Sequence, residues 1–310
     1  MKAVVPPVLR PGDRVVVVAP ARKITRAELV PAVRLLHEWG LDVRLGDTIE
    51  AEDAQFAGSD ALRRADLQRA LDDPAVRAIL CARGGYGTAR ILDDLDLSGF
   101  RRVPKWVAGF SDPTALLAHL WRHTHTVSLH ATMPVLMGRP DHHTADGSLR
   151  ALLFGESLTY AAPPHPLNRP GTARGPLLGG NLTVLHTLLA TQSDAAWDGA
   201  ILFLEDLDEY LYHVDRMLGH LARTGRLARL AGLVVGHFSL MRDNAVPFGH
   251  TAYDVIRHHT AGYGYPIGFN FPAGHEPLNT AFVHGADAVL TVDAAIGLTL
   301  RYALDGDGCG

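Results

Sequence analysis

Lys105-Trp-Val-Ala-Gly-Phe-Ser111-Asp112-Pro113 runs directly into Thr114-Ala-Leu-Leu-Ala-His-Leu-Trp121, and this junction decides the fold. An apolar, strand-like run ends in Gly-Phe-Ser-Asp, and helical apolar spacing begins at once. Such a turn lifts a serine hydroxyl off the sheet edge. It also aims the following backbone N–H groups, with the positive end of the helix dipole, at whatever the hydroxyl meets. Pro113 suits the first helical position, because its missing N–H would be unpaired there anyway. Two readings follow. Ser111 is a nucleophile with a built-in oxyanion site, or it caps the helix as Ser, Thr, Asp and Asn commonly do. Gly-x-Ser-x-Gly is not matched in full.

The same alternation recurs on either side. Residues 15–19, 42–45, 76–82 and 106–109 read as short buried strands, and 26–39, 60–72, 87–95 and 113–123 carry helical apolar spacing. Strand, helix, strand, helix specifies a parallel sheet covered on both faces, an α/β fold. Residues 161–176 are dense in proline and glycine and have no period, so a linker is expected there. It separates an N-terminal domain over 1–160 from a C-terminal domain over 177–310. In the latter, helices are expected at 181–191, 210–224 and 251–260, and strands at 201–204, 232–235, 286–292 and 297–303. No internal repeat is present, and the glycine-rich last six residues are expected to be disordered.

With 310 residues and 47% hydrophobic content, the chain can bury a large core. A net charge of −4 without long runs of like charge gives no reason to expect nucleic acid or an anionic membrane surface. Cys81, in an apolar run, and Cys309, in the tail, do not make a disulfide framework, so a reduced, cytoplasmic setting is expected. The run 15–19 is too short to span a bilayer, and no export signal is read.

Open parallel sheets carry their sites at the carboxyl ends of strands. Besides Ser111, the first domain offers Cys81-Ala-Arg-Gly84-Gly85-Tyr-Gly87, a glycine turn that lets backbone N–H groups approach an anion. Neither the P-loop nor the dinucleotide fingerprint is present. The second domain offers Glu205-Asp206-Leu-Asp208-Glu209 after an apolar strand, and Gly274-His275 after another short apolar run. Serine, carboxylate and histidine at strand ends are what a hydrolytic triad requires. Against this, the carboxylates also suit a helix N-terminus, and the chain has 17 histidines. His119 and His123 at i, i+4, with His125 and His130 following, raise a zinc hypothesis, but nothing resembles His-Glu-x-x-His and no cysteine pair accompanies them.

These residues resemble the LD-carboxypeptidases of the muramoyltetrapeptide carboxypeptidase family, nearly from end to end. The likeness runs through Leu9-Arg-Pro-Gly-Asp-Arg14, Ala19-Pro-Ala-Arg-Lys-Ile24, Phe56-Ala-Gly58 and Ala82-Arg-Gly-Gly-Tyr-Gly87. It continues through Gly109-Phe-Ser-Asp112, Leu178-Gly-Gly-Asn181, Leu204-Glu-Asp-Leu-Asp-Glu209, Asp215-Arg-Met-Leu218 and Gly274-His275. The family's Gly-Tyr-Ser-Asp is Gly-Phe-Ser-Asp here. The resemblance implies Ser111 as nucleophile, His275 as general base and then acid, and Glu205 as the orienting carboxylate with Glu209 as fallback. It implies an oxyanion site at the N–H of Asp112 and one from the Gly84-Gly85 turn, with no metal or cofactor. It further implies a doubly wound N-terminal domain, a smaller swivelling β/α C-terminal domain with the triad assembled across their cleft, and a homodimer. The expected substrate is a recycled murein tetrapeptide losing its terminal D-alanine, whose carboxylate Arg83, Lys105 or Arg174 is expected to hold. Alternatives are the microcin-immunity branch, which cleaves peptidyl-nucleotide amides, and, from another class, a two-domain small-ligand binding module.

Overall fold

The computed structural model describes residues 3–302; Cys309 and the glycine-rich end lie outside them. The strands are β1 (Arg14–Val18), β2 (Asp42–Leu45), β3 (Val76–Cys81), β4 (Trp106–Gly109), β5 (Ser128–His130), β6 (Tyr160–Ala162), β7 (Gly171–Asn181), β8 (Ile201–Leu207), β9 (Gly232–Ser239), β10 (Ile267–Gly268), β11 (Phe282–His284), β12 (Asp287–Asp293) and β13 (Gly297–Tyr302). The helices are α1 (Arg26–Glu38), α2 (Asp60–Asp72), α3 (Ser98–Arg102), α4 (Thr114–Thr124), α5 (His143–Leu153), α6 (Leu182–Thr187), α7 (Leu211–Arg223) and α8 (Ala252–His259). No helix among the described residues is long and apolar enough to cross a membrane.

The chain divides into two compact units, neither of them continuous in sequence. Unit 1 holds the described residues up to Ser157 together with Leu188–Ala195 and Pro277–Gly285; unit 2 holds Leu158–Thr187, Ala196–Glu276 and the described residues from Ala286 on.

Unit 1 is built on a six-stranded sheet ordered β11-β5-β4-β3-β1-β2, parallel except for the edge strand β11. Every residue of β4 is buried, as a sheet covered on both faces requires. In the order β2-β1-β3-β4-β5 the winding reverses between β1 and β3, so the loops after these strands form the crevice where such sheets bind ligands. Those loops begin at Ala19 and Ala82, and the loop after the neighbouring β4 begins at Phe110. The entry to α1 is fixed by a capping box in which Thr25 and Glu28 satisfy each other's backbone N–H groups.

Unit 2 carries a seven-stranded sheet ordered β10-β9-β8-β7-β12-β13-β6. β7 to β10 are parallel, while β12, β13 and β6 pair antiparallel. The burial follows: β8 is buried at six of its seven residues, whereas β12 alternates inward and outward.

Three expectations need correction. The stretch 161–176 is no linker, since it contains the end of β6 and the first half of β7, and unit 2 begins before it, at Leu158. Its glycines serve close packing rather than flexibility: a Cβ on Gly175 would stand 2.1 Å from the Gly199 carbonyl oxygen. The helix expected at 87–95 shrinks to a 3₁₀ turn over Thr88–Ile91, and the one at 181–191 to α6. β5, β11 and β6 have three residues each and leave no periodic signal to read.

Candidate active site

Ser111 lies in the loop after β4 with φ of 63°, in the left-handed region that a residue with a side chain enters at a cost of about 1 kcal/mol. That strain lets the chain turn from strand to helix in so few residues. Thr114 N donates to Ser111 O at 2.9 Å and Ala115 N to Asp112 O at 3.1 Å, so α4 begins at once. Pro113 sits at its N-cap.

The glycine turn after β3 lies against this serine. A Cβ on Gly84 would stand 3.0 Å from both Cβ and Oγ of Ser111, and 3.5 Å from the backbone N of Asp112. Only glycine leaves that space open. The two turns are tied by Thr88, whose N–H donates to Asp112 Oδ2 at 2.9 Å. Arg63, on α2, braces the glycine turn from behind. Its fully buried guanidinium donates to Pro20 O at 2.5 Å and Gly87 O at 2.9 Å, and pairs with Asp60. Cys81 at the end of β3 is buried; burial, then the Asp112 carboxylate, pushes its thiol up to about 12, which leaves it unreactive.

In unit 2, Glu205 on β8 accepts a hydrogen bond from His275, with Oε2 2.6 Å from Nδ1. The carboxylate is fully buried and the imidazole nearly so. The segment after β10 delivers His275 by tracking β9: Phe271 N donates to Val235 O at 3.0 Å and His237 N to Ala273 O at 2.9 Å. Gly274, with φ of 133°, completes the approach, because a Cβ there would stand 3.3 Å from Glu205 Cβ. Burial opposes charge on His275, yet Glu205, through charge and hydrogen bond, with Asp206 and Glu276 behind it, holds the imidazole above the usual histidine value. With Nδ1–H committed to the carboxylate, neutral His275 carries its basic lone pair on Nε2.

The other candidates sort by their partners. Glu209 is held by His213 Nδ1 at 2.9 Å and Thr183 Oγ1 at 3.2 Å, so Glu205 and not Glu209 pairs with His275. Asp206 caps α6, accepting from Thr183 N at 2.9 Å and Asn181 Nδ2 at 2.8 Å. Burial, then Glu205, raises its carboxyl to about 6 against those hydrogen bonds. Lys105 is spent at the far end of its strand, where its buried ammonium donates to Ala70 O at 3.1 Å and Asp73 O at 2.6 Å at the end of α2. Arg174 pairs with Asp287 at 2.8 Å, in the antiparallel half of its sheet. Of the three basic candidates, Arg83 alone adjoins the Gly84 turn, with Nη1 donating to Lys23 O at 3.2 Å.

Of the histidines proposed for zinc, His119 and His123 adjoin on α4 with ring centroids 4.4 Å apart, and the others pack against partners of their own. His119 Nδ1 lies 2.9 Å from Ser193 Oγ, His125 ends α4 edge-on to Trp121, and His130 stacks on Phe282 at 4.6 Å. Among the described residues, no three His, Cys, Asp or Glu side chains are grouped to hold a metal ion. Sequence reading missed Arg63 and His237. Nothing marks Arg63 in a polar helix, but Gly236-His237 follows the apolar Leu233-Val-Val235 just as Gly274-His275 follows an apolar run.

Residues 15–131 match the LD-carboxypeptidase N-terminal domain and residues 174–290 the LD-carboxypeptidase C-terminal domain. A probable murein peptide carboxypeptidase of Bacillus subtilis is 36% identical over 293 residues, covering 92% of this chain and 91% of that protein. Among solved structures, the muramoyltetrapeptide carboxypeptidase from Oxalobacter formigenes superposes with a TM-score of 0.83 at 26% identity, covering 93% of this chain and 98% of that one. The microcin C7 self-immunity protein MccF, in complex with aspartyl sulfamoyl adenosine, shares the fold with a TM-score of 0.86 at 19% identity, covering 97% of this chain and 99% of that one. The chain belongs to the LD-carboxypeptidase family and is a serine-type carboxypeptidase.

Proposed function

We propose that the enzyme removes the terminal D-alanine from murein tetrapeptides, with Ser111, His275 and Glu205 as its triad. The observation that carries this reading is the 2.6 Å Glu205–His275 hydrogen bond, which fixes the tautomer a general base needs. Ser111 Oγ attacks the carbonyl carbon of the last peptide bond as His275 Nε2 takes the hydroxyl proton. The N–H of Asp112 and one from the Gly84-Gly85 turn hold the oxyanion. Collapse breaks the C–N bond, and His275 returns its proton to the leaving amine of D-alanine. Water then attacks the acyl-enzyme with the same base, restoring Ser111.

The reading is supported by the strained Ser111 and by the names of the similar proteins from Bacillus subtilis and Oxalobacter formigenes. It includes service in recycling, a cytoplasmic location and a homodimer, which muropeptide profiling, fractionation and sedimentation test. The deciding assay offers a tetrapeptide ending in D-alanine, its all-L analogue and a peptidyl-nucleotide. A pocket shaped for a D-residue misplaces the carbonyl of the L-isomer, and misplacement by about 1 Å costs about 10²-fold. Equal kcat/KM on both peptides refutes LD specificity, and cleavage of the peptidyl-nucleotide alone moves the enzyme to the immunity branch.

A further inference from the structure

β8 and β9 pair in simple register from Ile201 opposite Gly232 to Leu204 opposite Val235, but Asp206 already faces Phe238. One residue, Glu205, therefore spans two, Gly236 and His237. Such bulges re-aim a side chain and are frequent beside active sites. A Cβ on Gly274 would stand 3.0 Å from His237 Cβ and 3.3 Å from Glu205 Cβ, so these two residues flank one glycine, next to His275. Each also presents a buried polar atom with no hydrogen-bond partner, Oε1 of Glu205 and Nδ1 of His237. Orphaned atoms of this kind are costly, and here one is an acceptor and the other a ring nitrogen able to donate.

We propose that His237 is a positioning residue whose Nδ1–H closes onto Glu205 Oε1 in the resting enzyme in solution, so that one carboxylate is shared by two imidazoles. The inference rests on the peptidase reading of Glu205 and His275. The charged groups acting on His237 are Glu276, Glu205 and His275, and burial outweighs them to hold it below the usual histidine value. His237 therefore stays neutral where the enzyme works and donates without adding charge. A donor on Oε1 anchors the carboxylate and draws charge from Oε2. That limits how far Glu205 raises His275, which keeps more of the base unprotonated near neutral pH.

The test compares His237→Phe, which removes the donor, with His237→Asn, whose amide can reach the position of Nδ1. Histidine titrations are followed by NMR in the resting protein, and kcat and KM are measured against pH on the D-alanine tetrapeptide. In His237→Phe we expect His275, and with it the acid limb of kcat/KM, to move up by about half a pH unit or more. kcat should fall about 10-fold with KM nearly unchanged, and His237→Asn should recover most of the loss. An unmoved titration in His237→Phe, or equal impairment of both variants, overturns the proposal. His237→Leu replaces phenylalanine if the larger ring unfolds the chain. If the wild type does not cleave the tetrapeptide, the peptidase reading fails, while the titration still decides the role of His237.

Discussion

The two units prepare their functional ends by different physics. In unit 1, Ser111 depends on backbone shape: a positive φ, a glycine on which a Cβ would stand 3.0 Å from the hydroxyl, and a buried guanidinium gripping carbonyl oxygens. In unit 2, His275 depends on buried charge, with Glu205 fully enclosed and Asp206 raised to about 6 beside it. Added volume should therefore damage the first end, and altered charge or pH the second. The largest effect follows from the proposed triad, which requires both ends in one reaction. Ser111→Ala and His275→Ala should each lower kcat by about 10⁶-fold with melting temperature nearly unchanged, and the double variant should be scarcely worse, because triad members act as a unit. Losses that multiply would show that the two ends do not serve one step.

Next comes the bracing of unit 1. Arg63→Ala leaves the carbonyls of Pro20 and Gly87 without their buried donor, and should cost about 3–5 kcal/mol of stability. Denaturant unfolding measures it, and a loss below about 1 kcal/mol would show that the glycine turn needs no brace. Arg63→Lys should recover only part, since a compact ammonium cannot reproduce the planar fork.

Smaller again is the effect of one methyl group. Gly84→Ala should displace Ser111 and cost about 10²-fold in kcat while stability changes little. Gly147, inside α5, meets nothing within 4 Å of an added Cβ, so Gly147→Ala should leave kcat alone and stabilise by about 0.5–1 kcal/mol. Full activity in Gly84→Ala would remove backbone shape as the controlling feature of the serine end.

The same contrast explains what the sequence reveals. The strand-turn-helix at Ser111 is local, so its residues announce it, as do β1 to β4, whose apolar runs alternate with helices. The Glu205–His275 pair joins residues 70 apart in sequence, and a cluster of four carboxylates cannot say which one meets the histidine; the choice over Glu209 appears only in the distance. Lys105 misleads because it adjoins the right strand at the wrong end. Proline and glycine over 161–176 suggest a flexible tether, yet Gly175 is there because a neighbouring carbonyl leaves no room for a side chain. Composition cannot distinguish these two uses of glycine.

Acid separates the units most gently. In unit 1, burial pushes His284 down to about 4, and burial, then His123, pushes His119 down to about 4. The unfolded chain binds these two protons near the ordinary value of 6.5, well before the folded chain does. Stability from both is thus complete above 6.5 and is lost as pH falls toward 4. By pH 5 each accounts for a loss on the order of 2 kcal/mol. Unit 2 contains His165, His186 and His237, all lowered by burial, but two groups work the other way. Asp206, raised to about 6, and His275, raised mainly by Glu205 against burial, bind protons more readily when folded and so gain stability as pH falls. Hydrogen-exchange protection at pH 7 and pH 5 should therefore fall first in α4, β5 and β11, around His119 and His284, while β8 and β9 keep theirs. Earlier loss in β8 and β9 would reverse the comparison and identify the buried charges of unit 2, rather than the neutral histidines of unit 1, as the acid-sensitive part of the enzyme.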